Sequence, residues 1–214
     1  MNRKITIIDY GIGNLYSVVR SFEVCGAEVV LTSDHSHIAD AERLVLPGVG
    51  AFADGMAGLG QRGQIEPLRR FIETGRPFLG ICVGMQLLMD VGEEFGEHAG
   101  LGIIPGRVVP VPPTTADGAP HRIPHIGWNI LRAPKEGAAW EGGLLSGLPA
   151  DPAVYFVHSF TPVPENEAHR LADCYYDGRR ISAVVRSGNV YGCQFHPEKS
   201  GPIGLKIVGN FLNL

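Results

Sequence analysis

Cys82 is the residue of this chain whose surroundings most invite chemistry. It lies in Phe78-Leu79-Gly80-Ile81-Cys82-Val83-Gly84-Met85-Gln86. The apolar residues before it read as a buried strand. Met85-Gln86-Leu87-Leu88-Met89 after it reads as the first turns of a helix. A cysteine with glycine two residues away on each side, between strand and helix, has the layout of a nucleophile elbow. The glycines permit a sharp turn that raises the thiol on a strained corner at the end of a sheet. A helix N-terminus beside it favours the thiolate. The chemistry would be nucleophilic catalysis, which also needs a base, an orienting acid and donors for a developing oxyanion. Read locally, the stretch also fits a buried cysteine in a glycine-containing turn.

A base is available in Cys193-Gln194-Phe195-His196-Pro197-Glu198-Lys199-Ser200. Pro197 biases His196 toward extended backbone, and in an extended segment residues two apart point to the same side. Glu198 can therefore hold one ring nitrogen of His196 and leave the other for a thiol. Alone, the segment equally describes a strand end with a proline stop and a solvated Glu-Lys pair. Pro47-Gly48-Val49-Gly50 can supply the oxyanion donors. Gly48 and Gly50 allow backbone closed to other residues, and the N–H of Val49 can join that of Val83. Nothing local separates this from an ordinary strand–helix turn.

These residues must be carried by elements that bring them together. Lys4–Ile8, Glu28–Thr32, Arg43–Leu46 and Phe78–Ile81 read as strands. Helical stretches lie between them: one ending near Cys25, then Ala51–Gly58 and Gln64–Thr74, the last stopped by Gly75. The alternation predicts an α/β fold, a flavodoxin-like open sheet, parallel in the first half, with helices on both faces. After about Gly102 the character changes. Val108–Val111, Val154–Val157, His169–Tyr175, Ile181–Arg186 and Val190–Gln194 read as short strands with turns between, so the second half is expected to be mixed or antiparallel. Pro110–Pro124 reads as a surface loop and Ile203–Leu214 as a closing helix. No repeat or linker divides the chain, so residues 1–214 are expected to form one domain. In such a sheet ligands gather beyond the carboxyl ends of the strands. Asp9–Asn14, Pro47–Gly50 and Cys82–Gln86 all leave such ends.

Composition narrows the function classes. The chain has 214 residues, 44% hydrophobic and 19% charged, with 29 glycines and a formal net charge of -4. That balance gives no electrostatic case for nucleic acid or an anionic membrane. No apolar run approaches a membrane span, and the charged start Met1-Asn2-Arg3-Lys4 leads into a strand too soon for a signal peptide. Cys25, Cys82, Cys174 and Cys193 form no C-x-x-C pair or disulfide framework, which points to a reducing, cytoplasmic setting. His35-x-His37 and Cys193-x-x-His196 are isolated pairs, so no metal site is expected. Gly11-x-Gly13 lacks the third glycine of a dinucleotide fingerprint, since Tyr16 stands there. Asp34 is at roughly the right distance for a ribose contact, but a nicotinamide or flavin site is rejected. There is no P-loop, and no cofactor is expected.

Gly80-Ile81-Cys82-Val83-Gly84-Met85-Gln86 with His196-Pro197-Glu198 resembles the triad-type (class I) glutamine amidotransferases. Further motifs resemble one branch of them, the glutaminase subunits of imidazole glycerol phosphate synthases. They are Asp9-Tyr10-Gly11-Ile12-Gly13-Asn14-Leu15, Pro47-Gly48-Val49-Gly50-Ala51-Phe52, Pro124-His125-Ile126-Gly127-Trp128-Asn129, Tyr155-Phe156-Val157-His158-Ser159-Phe160 and Gln194–Ser200. The resemblance implies glutamine hydrolysis by Cys82, His196 and Glu198 through a glutamyl thioester, with Val49 and Val83 at the oxyanion. It implies that Gln86, Glu94, His158, Ser159 and Phe160 line the glutamine site, Glu94 on the substrate ammonium group. It further implies a heterodimer with a (β/α)8 cyclase subunit that receives the ammonia and forms imidazole glycerol phosphate in histidine biosynthesis. Asn14, Trp128, Tyr155 and Lys199 match positions facing that partner. Trp128 alone reads equally as a large core residue. Family behaviour also implies that the Gly48–Val49 peptide turns before the oxyanion hole forms. Two other amidotransferase branches fit less well: pyridoxal phosphate glutaminases carry Pro-Gly-Gly-Glu-Ser at the oxyanion turn, and anthranilate-type members carry histidine where Met85 stands. A non-catalytic regulatory subunit is disfavoured by the intact triad. Pro110–His121 looks longer than the family pattern.

Overall fold

The computed structural model describes residues 3–134, 140 and 142–214; Met1 and Asn2 of the charged start lie outside them. The strands β1 (Lys4–Ile8), β2 (Glu28–Thr32), β3 (Leu44–Gly48) and β4 (Phe78–Cys82) form where the apolar runs place them. Between them run α1 (Leu15–Val24), α2 (His35–Asp40), α3 (Phe52–Gln61) and α4 (Ile65–Glu73). β3 and β4 are buried at every position, which is why they read as continuous apolar runs rather than as alternation. Right-handed crossovers fix the layering. The step from β1 to β2 runs one way along the sheet and the steps to β3 and β4 run the other. This places α1 on one face and α2–α4 on the opposite face.

Beyond β4 the chain makes one helical turn, α5 (Val83–Gln86), not the longer helix that the apolar run to Met89 predicts. Leu87, Leu88 and Met89 are fully buried in a turn that leads into β5 (Val91–Gly92). Their hydrophobicity reports burial rather than helical periodicity, and the dipole available to Cys82 is correspondingly reduced. The chain continues through β6 (His98–Ala99), β7 (Gly106–Pro110), β8 (His125–Ile130), β9 (Ala153–His158), β10 (Phe160–Pro164), β11 (Arg170–Tyr176), β12 (Arg179–Ser187), β13 (Val190–Cys193) and the last helix, α6 (Gly201–Phe211).

The main sheet has seven strands in the order β11-β12-β13-β4-β3-β1-β2. β2, β1, β3, β4 and β13 run parallel, and β13-β12-β11 is an antiparallel meander on the far side. The core is continuous from Ile5 and Ile7 through Leu46 and Leu79 to Val184 and Phe211. A four-stranded sheet, β10-β7-β5-β6, and the two-stranded β8–β9 pair stand over the carboxyl ends of the central strands. β10 carries Pro162 and Pro164 and does not read as a strand from sequence. It is an edge strand paired only to β7, where missing N–H donors are tolerated. α2 is also absent from the sequence reading. Asp34, weighed there as a ribose ligand, is its N-cap, accepting the N–H of Ser36 at 2.8 Å.

Pro110–Pro124 is more than a surface loop. It folds back on itself through a Thr114–Pro120 bridge and docks on the turn of the β11–β12 hairpin, where Arg179 donates to Thr114 and His121 Nδ1 meets Asp177 at 3.0 Å. Its end, Pro124, reaches the site described next. No helix among the described residues is long and apolar enough to cross a membrane.

Candidate active site

The elbow exists because three backbones meet without side chains. A Cβ on Gly84 would lie 1.9 Å from the carbonyl oxygen of Leu46, and one on Gly80 would lie 2.5 Å from that of Gly84. Cys82 caps α5 with φ 54°, a left-handed conformation costly for a residue with a side chain. That turn points the thiol away from the strand and into a cavity of about 260 Å³. The walls come from Val49 and Gly50, from Val83, Gln86 and Glu94, from Pro124, from Val157–Phe160, and from His196.

His196 reaches this cavity from the end of β13, 3.0 Å from the carbonyl of Tyr155 through its own N–H. Its Nδ1 lies 2.8 Å from Glu198 Oε1 in a buried pair. The carboxylate accepts a hydrogen bond from Nδ1–H, so the other ring nitrogen is the one available to Cys82. Burial opposes a charged ring here, yet hydrogen bonds to Cys82 and Glu198 and the charges of both outweigh it and carry the His196 pKa up to about 9. The arrangement is that of an imidazolium beside a sulfur nucleophile.

The turn after β3 faces Cys82 from the neighbouring strand, with Gly48 paired to Cys82 in register. Val49 and Gly50 line the cavity, Gly50 with φ 87°. Gly48 lies beneath it. A Cβ there would come within 2.7 Å of the Tyr10 hydroxyl and 2.8 Å of the Gly84 nitrogen. Tyr10 is fully buried under this turn, and burial, with the charge of Cys82, pushes its phenol well above the usual range.

Gln86, Glu94, His158, Ser159 and Phe160, expected to line a substrate site, border this cavity and make specific bonds around it. The Glu94 carboxylate accepts the N–H of Phe52 at 2.8 Å, at the start of α3, while bordering the cavity. Gln86 donates its amide to the carbonyl of Phe160 at 3.1 Å and to Gln194 Oε1 at 3.0 Å. His158 Nδ1 lies 2.8 Å from the same carbonyl and its Nε2 lies 2.9 Å from His125 Nδ1. Because the carbonyl can only accept, Nδ1 of His158 carries the proton, and His125 donates to its Nε2. Burial pushes the pKa of His158 down to about 3 and that of His125 down to about 4, so both rings are neutral. Ser159 accepts the N–H of Val111 through its carbonyl, tying the cavity wall to the strand end of β7.

Three buried participants lie in the motifs quoted above but have no role assigned from the sequence. Gln194 is fully buried with its amide nitrogen 3.7 Å from Cys82 Sγ. The Ser200 hydroxyl donates to the carbonyl of His196 at 2.6 Å and accepts the N–H of Tyr155 at 2.9 Å. His125 completes the chain behind His158. The expected partner-facing residues lie outside the cavity: Asn14 and Lys199 are exposed, and Trp128 is 59% exposed and meets Tyr155 edge to face with ring centroids 6.1 Å apart. Trp128 is therefore a surface residue and not part of the core.

The family model for class I glutamine amidotransferases matches residues 6–213. The chain belongs to the class I glutamine amidotransferases. As an amidotransferase it is 53% identical, over 98% of its length and 99% of the relative's, to imidazole glycerol phosphate synthase subunit HisH 1 of Legionella pneumophila (strain Lens). It is 48% identical to subunit HisH of Syntrophotalea carbinolica, covering 97% of this chain and 98% of that one. Among solved structures it is similar to PurLQS from Thermotoga maritima, with TM-score 0.72 and 20% identity over 100% of this chain and 99% of that one. At that identity the likeness attests the fold of this amidotransferase alone.

Proposed function

We propose that this chain is the glutaminase subunit of an imidazole glycerol phosphate synthase and that Cys82, His196 and Glu198 are its catalytic triad. The observation that carries the reading is the 53% identity, over nearly the full length, to a relative bearing that subunit's name. The cavity gives it a mechanism. Cys82 Sγ attacks the side-chain amide carbon of glutamine, and the oxyanion that forms is met by the N–H groups of Val49 and Val83. The imidazolium of His196 gives its proton to the departing nitrogen, which leaves as ammonia. The glutamyl thioester is then attacked by water, whose proton passes to His196, and glutamate leaves as the sulfur is freed. Two moderate barriers replace one high one. Gln86, Glu94, His158, Ser159 and Phe160 form the glutamine pocket.

The ammonia goes to a (β/α)8 cyclase subunit in a heterodimer, docked on the face that carries Asn14, Trp128, Tyr155 and Lys199. Exposed Trp128 supports a docking face, since aromatics are enriched where proteins meet. The four unpaired cysteines suit a reducing cytoplasm. Glutamate release from glutamine tests the reading, measured with and without the cyclase and its nucleotide ligand. The expected result is little release alone and strong stimulation by both, abolished in Cys82→Ala. Equal release without a partner would refute the coupled subunit, and no release under any condition would refute the glutaminase.

A further inference from the structure

Gln194 lies two residues before the triad histidine, is fully buried, and turns its side chain toward the nucleophile. Its orientation is determined by its surroundings. The carbonyl oxygen of Phe160 has only lone pairs to offer, so the Gln86 atom 3.1 Å from it must be Nε2. That same nitrogen lies 3.0 Å from the side chain of Gln194, which must answer with its oxygen. The remaining end of the Gln194 amide, its NH₂ group, is thereby directed at Cys82 Sγ, 3.7 Å away. A flipped Gln194 would set two NH₂ groups against each other and leave a buried carbonyl oxygen facing sulfur, both costly in the interior.

We propose that Gln194 is a positioning residue for the nucleophile. Its amide holds the Cys82 sulfur and stabilises it as thiolate, and the Phe160 carbonyl and Gln86 fix the direction of that amide. The inference rests on the reading of Cys82 as the nucleophile. It assigns the sulfur a second donor, opposite in kind to His196: a neutral amide that neither gains nor loses a proton during turnover. When His196 has given its proton to the leaving group, this donor remains. Gln86, expected only to line the substrate pocket, also relays orientation from a backbone carbonyl to the reacting atom.

Alkylation of Cys82 by iodoacetamide tests this without glutamine or a partner protein. It is followed across the pH range in the wild type and in Gln194→Met, which keeps an unbranched side chain of similar size. Thiolate stabilisation predicts a pH midpoint of alkylation raised by about one unit in Gln194→Met, alkylation roughly tenfold slower at pH values below both midpoints, and rates that converge at high pH where the thiol is fully ionised. Superimposable profiles overturn the proposal. So does a uniform loss at every pH, which marks a merely structural role. A second measurement needs no variant. In the wild-type chain the side-chain amide protons of Gln194 should shift with the same pH midpoint as alkylation, and invariant resonances overturn the proposal even if Gln194→Met does not fold. A positive alkylation result with no glutamate release would defeat the glutaminase reading alone; glutamate release with superimposable alkylation profiles would defeat this inference alone.

Discussion

Cys82 and Glu198 together decide the protonation of His196. The ring is buried, which alone would hold it neutral, and its pKa nevertheless stands at about 9 because sulfur and carboxylate flank it. Removing the carboxylate charge while keeping the shape, as in Glu198→Gln, should bring the His196 titration down toward the ordinary value near 6.5, read from its ring protons by NMR. The same substitution should cut glutamine turnover by about two orders of magnitude or more, since the ring loses both orientation and charge compensation. Linkage gives a second consequence. A group whose folded pKa lies above its unfolded one stabilises fully below the unfolded value, and that stability is lost as pH rises through the folded value. The wild-type unfolding midpoint should therefore fall between about pH 6.5 and 9, and the Glu198→Gln chain should show a flatter profile. An unchanged slope would count against the pairing. The proposed triad is legible in the sequence because each member stands near a backbone punctuator: two glycines around Cys82, and a proline between His196 and Glu198. Gln194 has no such marker. Its partner Gln86 is 108 residues distant, and only the packing of β13 against β4 and α5 brings the two amides together.

At the scale of elements, the elbow is a junction of β3, β4 and α5 that tolerates no side chain at its crossing points. Gly84→Ala would press a methyl group into the Leu46 carbonyl, a backbone atom that cannot rotate aside. We expect a destabilisation of about 3 kcal/mol or more by denaturant unfolding, at the upper end for overpacking. Gly48→Ala meets the Tyr10 hydroxyl, the Gly84 nitrogen and the Val83 Cβ, all closer than 3.0 Å. Its relief must come from moving the oxyanion turn, so it should lower glutamine turnover about tenfold or more with a smaller loss of stability than Gly84→Ala. Equal turnover in Gly48→Ala and wild type, with the partner present, would remove this turn from the mechanism. β1, β3 and β4 are legible because parallel strands buried on both faces announce themselves as apolar runs. Other elements are not, β5, β6 and β8 among them, and three more are missed or misread for separate reasons. α5 is shorter than its sequence implies because Leu87–Met89 is buried without being helical. β10 is hidden because its prolines are tolerated only at an edge, and edge position is a tertiary fact. α2 is hidden because six residues carry too little periodicity, although Asp34 in its capping role is an available signal.

At the scale of the whole molecule, the cavity wall is held to the distal hairpin by a stack of rings. His158 hydrogen-bonds to His125, His125 stacks on Phe156 and on Tyr176, and Tyr176 stacks on His121, which pairs with Asp177 at the hairpin turn. Phe156 also meets Phe195 edge to face, next to His196. This chain joins β8, β9 and β11 with the Pro110–Pro124 strap, segments that share no single sheet. Its weakness is acid. His125 and His158 have folded pKa values of about 4 and about 3, both below the unfolded value near 6.5, so the unfolded chain binds more protons as pH falls. Each ring should remove about 1.4 kcal/mol of stability per pH unit below about 6.5, continuing to about pH 4 for His125 and about pH 3 for His158. Protonation also puts a second N–H where His158 Nε2 now accepts from His125, so the loss begins at the cavity wall. Denaturant unfolding at about pH 7, 6 and 5 measures it. His125→Asn should reduce the slope by the share of one ring, because an amide can still donate to His158 but does not titrate in this range. A wild-type stability that is flat over that interval would mean the pair is not held neutral. The cavity wall would then owe its shape to packing alone.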